Sequence, residues 1–210
     1  MSVPPTCPRC AGPLHAPGLM TSSWDCERHG PVHPVHVVAK PAVEALHKVA
    51  ATAGVPLWVP LPLLPGWSLT GIATAGDDRS AAKATVVALA GPSPLGGPAD
   101  LLVIAEEPGV GLGARFAGFD GIDPGLSAAG APDAKVEAAG HPTALWRSPS
   151  ADDRAAFVGE AMGVWLWAVL WPPAAELVLL EHVVLHDLRA VAHESVDLPI
   201  GAPSPRLHAA

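Results

Sequence analysis

The cysteines constrain this chain more than any other feature. Its 210 residues include only three, Cys7, Cys10 and Cys26, and His29 completes a C-x2-C-x15-C-x2-H pattern near the N-terminus. Each C-x2-C/H unit is a tight turn that lets two side chains reach one ion. Gly12 and Gly30 follow the two turns and let the backbone curl past. The intervening residues are enough for a short hairpin that returns the second knuckle to the first. Three thiolates and one imidazole form a closed tetrahedral set suited to zinc, with no position left for a substrate. The expectation is a zinc-ribbon module at residues 1–40 with a structural Zn2+ on Cys7, Cys10, Cys26 and His29. Trp24 is the only large apolar side chain there, so metal binding has to supply most of the folding energy. His33 and His36 stand close by as alternative fourth ligands. A redox role for Cys7 and Cys10 would call for a helix in a βαβ unit, which the sequence does not offer.

Charge narrows the partners. The chain carries a net −8. Residues 1–40 carry Arg9, Arg28 and Lys40 against Asp25 and Glu27, so the excess of acid lies in the body. Nucleic-acid binding needs a cationic face and is disfavoured. The N-terminus MSVPPTCPRC lacks a basic segment followed by an apolar one. The apolar run from Gly163 to Trp171 is far shorter than the ~20 residues of a membrane span. A cytoplasmic protein is expected, in a compartment that keeps thiols reduced.

Beyond the module, Pro41 to Ala53 reads as a helix with Val43, Leu46, Val49 and Ala50 on one face. Pro56, Pro60, Pro62 and Pro65 then forbid helix and inner strand, so residues 41–66 form a helix and a proline-rich arm. Residues 67–193 carry strand signals. WSLTGIATA and KATVVALAG flank a turn, ADLLVIAEE follows, and AKVEAAG with TALWRS makes another hairpin. In VWLWAVLW, Trp165, Trp167 and Trp171 share one face while Leu166, Ala168 and Leu170 share the other. Such a strand belongs at the centre of a sheet covered on both sides. Glu176 to Val191 reads as a helix facing the sheet through Leu177, Leu180, Val184, Leu188 and Val191. Residues 120–133 read as a surface loop and residues 194–210 as a loose tail. The fold class is α+β, a small zinc ribbon followed by a mainly antiparallel sheet with a few packed helices.

Candidate chemistry in the body is sparse. Gly109, Gly111 and Gly113 with Ala114 satisfy G-x-G-x-x-A after a strand, but Gly118, Gly121 and Pro124 cut short the helix that a dinucleotide would need. What remains is a structural turn, or a small anion pocket with Arg115 beside the glycine backbone. Asp77-Asp78-Arg79 and Asp152-Asp153-Arg154 read as turn caps. Glu106-Glu107 reads as a solvated strand end. His182, His186 and His193 fall on the polar side of the expected last helix. With no nucleophile elbow and no H-E-x-x-H motif, catalytic residues are not indicated.

Taken in order, SWDCERHGPVHP, AGDDRS, GPSPLGG, AEEPGVGLGARFAGFDGIDPG, WLWAVLWP, LHDLRA and GAPSPRL resemble an uncharacterised actinobacterial family, a domain of unknown function, over nearly the whole chain. The resemblance implies a cytoplasmic protein with an N-terminal zinc-ribbon-like module and brings no activity with it. Two readings follow. One is a non-enzymatic binding or regulatory protein with protein partners. The other is a small-molecule or phosphate-ligand-binding protein, or an enzyme, that uses the Gly109–Gly113 segment and Arg115.

Overall fold

A computed structural model describes residues 4–19, 21–77, 79–124, 130–191 and 197–207. The N-terminal knuckles carry a small antiparallel pair, β1 (Trp24–Cys26) and β2 (Gly30–Val32). Then come β3 (Val35–Val37), α1 (Val43–Thr52) and β4 (Trp58–Pro60). The long strands are β5 (Ser68–Ala75), β6 (Ala84–Pro92) and β7 (Pro98–Glu106), followed by the short helix α2 (Leu112–Ala117). Two hairpins complete the middle of the chain, β8 (Ala134–Ala138) with β9 (His141–Ser148) and β10 (Ala155–Ala161) with β11 (Val164–Trp171). A 3-10 segment (Pro173–Leu180), β12 (Val184–Asp187) and α3 (Leu188–Val191) follow.

Ten strands form one sheet in the order β3-β5-β6-β7-β11-β10-β9-β8-β12-β4. Every neighbouring pair is antiparallel except β12 with β8. The fold is therefore α+β with a mainly antiparallel sheet. Two of its hairpins turn on two residues with positive φ, Ala139-Gly140 at 49° and 79° and Met162-Gly163 at 56° and 78°. These values match the tight turn whose twist suits paired strands, with glycine second.

The centre of the sheet is apolar on both faces, as VWLWAVLW requires. On one side Leu166, Ala168 and Leu170 of β11 join Leu101, Val103 and Ala105 of β7 in the main core. The sheet curls so that β4 lies against β6 and β7, and Val55, Leu57, Trp58 and Val59 fill that core from the proline-rich arm. Helix α1 adds Leu46 and Ala50. On the other side Trp167, Val169 and Trp171 pack with Leu102, Ile104 and the apolar residues of α2. Many sheet residues on this face are alanine, among them Ala73, Ala75, Ala84, Ala88 and Ala156. Their small side chains let covering elements approach closely.

Two expectations are corrected. Glu176 to Val191 is not one helix. The 3-10 segment buries Val178 and Leu179 and leaves Leu180 exposed, and the chain then pairs as β12 between β8 and β4. Backbone pairing at an open sheet position outweighs the helical spacing of the leucines. Asp187 secures this arrangement, accepting from the Leu57 amide and pairing with Arg189 through both carboxylate oxygens. The proline-rich arm contributes an edge strand, β4, and no inner one. Pro60 is tolerated because β4 is the sheet edge. Finally, residues 198–207 are not loose. Leu198 and Leu207 are buried, Gly201 donates to Leu69, Ser204 donates to Thr70, and Arg206 pairs with Asp100. Leu207 sits over Gly71, where even a Cβ would collide with it.

Leu207→Ala is expected to lower unfolding free energy by about 2–5 kcal/mol, the usual cost of truncating a buried leucine. Denaturant titration checks this, and an unchanged midpoint would mean that the C-terminal segment contributes no packing.

Candidate metal centre and the glycine-rich loop docked on it

The first knuckle closes through backbone bonds, Cys7 N–H to the Gly12 carbonyl at 2.9 Å and Ala11 N–H to the Cys7 carbonyl at 3.0 Å. Ala11 takes the left-handed conformation there, and a Cβ on Gly12 would lie 3.2 Å from the Cys10 sulfur, a tight contact. The second knuckle closes with His29 N–H on the Cys26 carbonyl, and Gly30 takes the left-handed conformation. Paired bonds between Thr6 and Val35 tie the module to β3, the other edge of the sheet.

This folding brings Cys7, Cys10, Cys26 and His29 together, with one donor atom of each within 4.8 Å of the others. The four lie close enough to hold a metal ion. His29 Nδ1 stands 3.5 Å from the sulfurs of both Cys7 and Cys26, and the Cys10 and Cys26 sulfurs are 3.8 Å apart. His36, an alternative ligand by sequence, is turned away and meets the Trp24 ring edge-on at 6.5 Å. His33 acts electrostatically on Asp77 and is not in the cluster. Burial pushes the Cys7 thiol up to about 11. For Cys26 burial is outweighed by the Arg28 backbone N–H and by its His29 and Cys7 neighbours, which bring it down to about 6. The first thiolate formed in such a cluster disfavours the next, and a bound dication removes that penalty.

The glycine-rich loop lies directly against this cluster. Arg9, between the first two cysteines, donates to the Gly109 carbonyl at 2.8 Å and to the Val110 carbonyl at 3.3 Å. Gly111 caps α2 in the left-handed conformation, and a Cβ there would come within 3.1 Å of the Arg9 side chain. Gly113 has even less room, because its Cβ would fall 2.3 Å from the Trp167 indole nitrogen. Together with the Arg9 bonds, these contacts place the loop between module and sheet.

The Gly109, Val110, Leu112 and Gly113 amides already have acceptors, Val110 on the Glu107 carbonyl. Gly109 N–H donates to Asp123, which also accepts from the Trp165 indole. The Leu112 and Gly113 amides donate to the two carboxylate oxygens of Glu106, at 2.7 and 3.2 Å. Glu106 is wholly buried, so its expected place at a solvated strand end is corrected. Its burial was legible in strand parity, because Glu106 continues the face of Leu102 and Ile104. Only Glu107 is at the surface, paired with Lys83. Burial pushes the Glu106 carboxyl up to about 7, against the pull of the two amides and the nearby Trp167 indole.

Arg115 projects from α2 with its Nε and Nη2 atoms sealed from solvent, and neither has a hydrogen-bond partner among the described residues. Burial lowers it to about 10, while the Cys7 and Cys10 sulfurs oppose that shift.

The remaining sequence candidates serve local structure. Asp77 accepts from the Arg79 and Ser80 amides, and Arg154 pairs with Asp153 and donates to the Phe116 carbonyl at the end of α2. Asp78 lies outside the described residues. No histidine stripe forms from His182 and His186, because no helix runs there. His182 is exposed near Glu137, His186 belongs to β12, and His193 lies outside the described residues. A cavity of about 740 Å3 opens between the end of α1 and the β5–β6 turn, lined in part by His36, Lys48, Thr74 and Arg79. Among the described residues, no helix is long and apolar enough to cross a membrane.

The model of one protein family matches residues 1–207, that of DUF6758, a family of unknown function. No curated protein and no solved structure matches.

A pH dependence follows from Glu106. Its folded-state value lies above the unfolded one, so the proton it carries stabilises the fold below about pH 4.5, and that contribution is lost as pH rises towards about 7. Relative to wild type, Glu106→Gln should therefore gain stability steadily between those limits. Taking the difference between paired denaturation midpoints at each pH cancels any change common to both proteins. A constant difference across the range would refute the assignment.

Proposed function

The chain belongs to DUF6758, a family of unknown function, and from the geometry of its own N-terminal cluster we propose a non-enzymatic binding or regulatory protein built around a structural zinc. One observation carries this reading. A tetrahedral zinc with ordinary bonds to sulfur and nitrogen needs sulfur–sulfur edges of about 3.8 Å and sulfur–nitrogen edges of about 3.5 Å. Three of the six edges stand at these values, Cys10–Cys26 at 3.8 Å and His29 to Cys7 and to Cys26 at 3.5 Å, and all four donors lie within 4.8 Å of one another. Four protein ligands leave the ion no open position, so its work is to hold the two knuckles together and, through Arg9, to hold them against the body. The module is then a metal-stapled docking unit, with protein partners in a reducing, cytoplasmic setting. The net charge of −8 supports partners other than nucleic acid.

The ligand-binding alternative would place an anion on the Gly109–Gly113 backbone and Arg115. The internal carboxylates that already accept from Gly109, Leu112 and Gly113 support the non-enzymatic reading over that one.

Purified full-length protein is expected to carry one zinc per chain, and Cys26→Ser to lose it, as measured by elemental analysis. Full retention in the variant would sink the zinc assignment. A thermal-shift screen with nucleotides, phosphates and acyl phosphates is expected to show no stabilisation. A shift that disappears in Arg115→Ala would favour the ligand-binding alternative. Affinity capture from native cytoplasm, with and without chelator, then tests whether partner retention needs the metal.

A further inference from the structure

We propose that Arg115 is the charge partner of the metal–thiolate centre, so that metal loading and the packing of α2 form one equilibrium. This rests on the zinc reading above. A dication with three thiolates and a neutral imidazole carries a net charge of −1. Cys7 is fully buried and Cys26 nearly so, which denies that charge much of its hydration. A desolvated charge is stable only when a counter-charge or hydrogen-bond donors face it.

Few cations are positioned to serve. Arg28 and Lys40 are exposed, and the Arg9 fork is already committed to the Gly109 and Val110 carbonyls. Arg115 differs from all of them. Its guanidinium lies over the Phe116 ring at 4.2 Å, its Nε and Nη2 donors are shut away from water without an acceptor among the described residues, and the Cys7 and Cys10 sulfurs favour its charge. The chain path agrees, because Gly111 abuts Arg9 and Arg115 follows one helical turn later. Metal-bound thiolates are strong acceptors for guanidinium N–H groups, so ionising the cysteines supplies what these donors lack. The anion that Arg115 meets is thus the protein's own metal centre.

Competition with a chromogenic chelator, applied to the full chain, measures the zinc affinity of wild type, Arg115→Met and Arg115→Lys. Methionine keeps the aliphatic bulk and removes the charge, and it should weaken zinc binding about 10–100-fold, the usual effect of losing an outer partner of a metal ligand. Lysine restores the charge and should recover most of that loss, which a purely packing role for Arg115 does not predict. Equal zinc affinity in wild type and Arg115→Met would overturn the proposal while leaving the zinc centre standing. A wild-type protein without zinc would instead remove the reading beneath it. Should Arg115→Met fail to fold even in excess zinc, amide hydrogen exchange of residues 112–117 in the wild-type chain decides. Faster exchange after chelation supports the coupling, and unchanged exchange overturns it.

Discussion

Strands β7 and β11, paired side by side with apolar residues on both faces, are the constraint on which the rest of this structure depends. A strand pair of that kind is stable only when both of its surfaces are removed from water. One surface is covered by the curl of the sheet, α1 and the proline-rich arm. The other is covered by α2, which meets Trp167 so closely that Gly113 has no room for a side chain. Everything of chemical interest follows from that second cover. The loop that delivers α2 is the glycine-rich segment, and the N-terminal cysteine–histidine module is latched onto it by Arg9.

This arrangement explains why a fully buried carboxylate is tolerated. Glu106 ends β7 on the face that α2 covers, and the first turn of α2 presents free amides there. An unpaired carboxylate in such a place would be costly, whereas one that accepts two amides joins strand to helix. A pattern that resembles an anion-binding loop in sequence is thus satisfied from within.

The legible parts of this protein were those in which nearby residues settle the outcome. WSLTGIATA with KATVVALAG and AKVEAAG with TALWRS are strand runs separated by short turns, and both hairpins form where the pattern placed them. The spacing of Cys7, Cys10, Cys26 and His29 brought four donors together, and mirroring the first knuckle distinguished His29 from His33 and His36. The segment from Glu176 to Val191 misled because its leucines repeat at a helical spacing, while its conformation is set by vacant positions on β8 and β4 far away in the chain. Leu198 and Leu207 misled for a related reason: a short, proline-rich segment has no periodicity to show that a glycine-floored recess awaits it.

The amino-acid sequence by itself determined the convergence of three cysteines and a histidine, the two-faced central strand, the antiparallel hairpins and the acidic body, since each depends on residue type at short spacing. Only the tertiary structure decided that the module sits on the glycine-rich loop, that Glu106 accepts from the first amides of α2, and that the Nε and Nη2 donors of Arg115 are buried. Those relations join residues about a hundred positions apart, as Arg9 does with Gly109. They arise because a sheet buried on both faces has to draw distant segments over itself, and a local pattern does not encode which segments arrive.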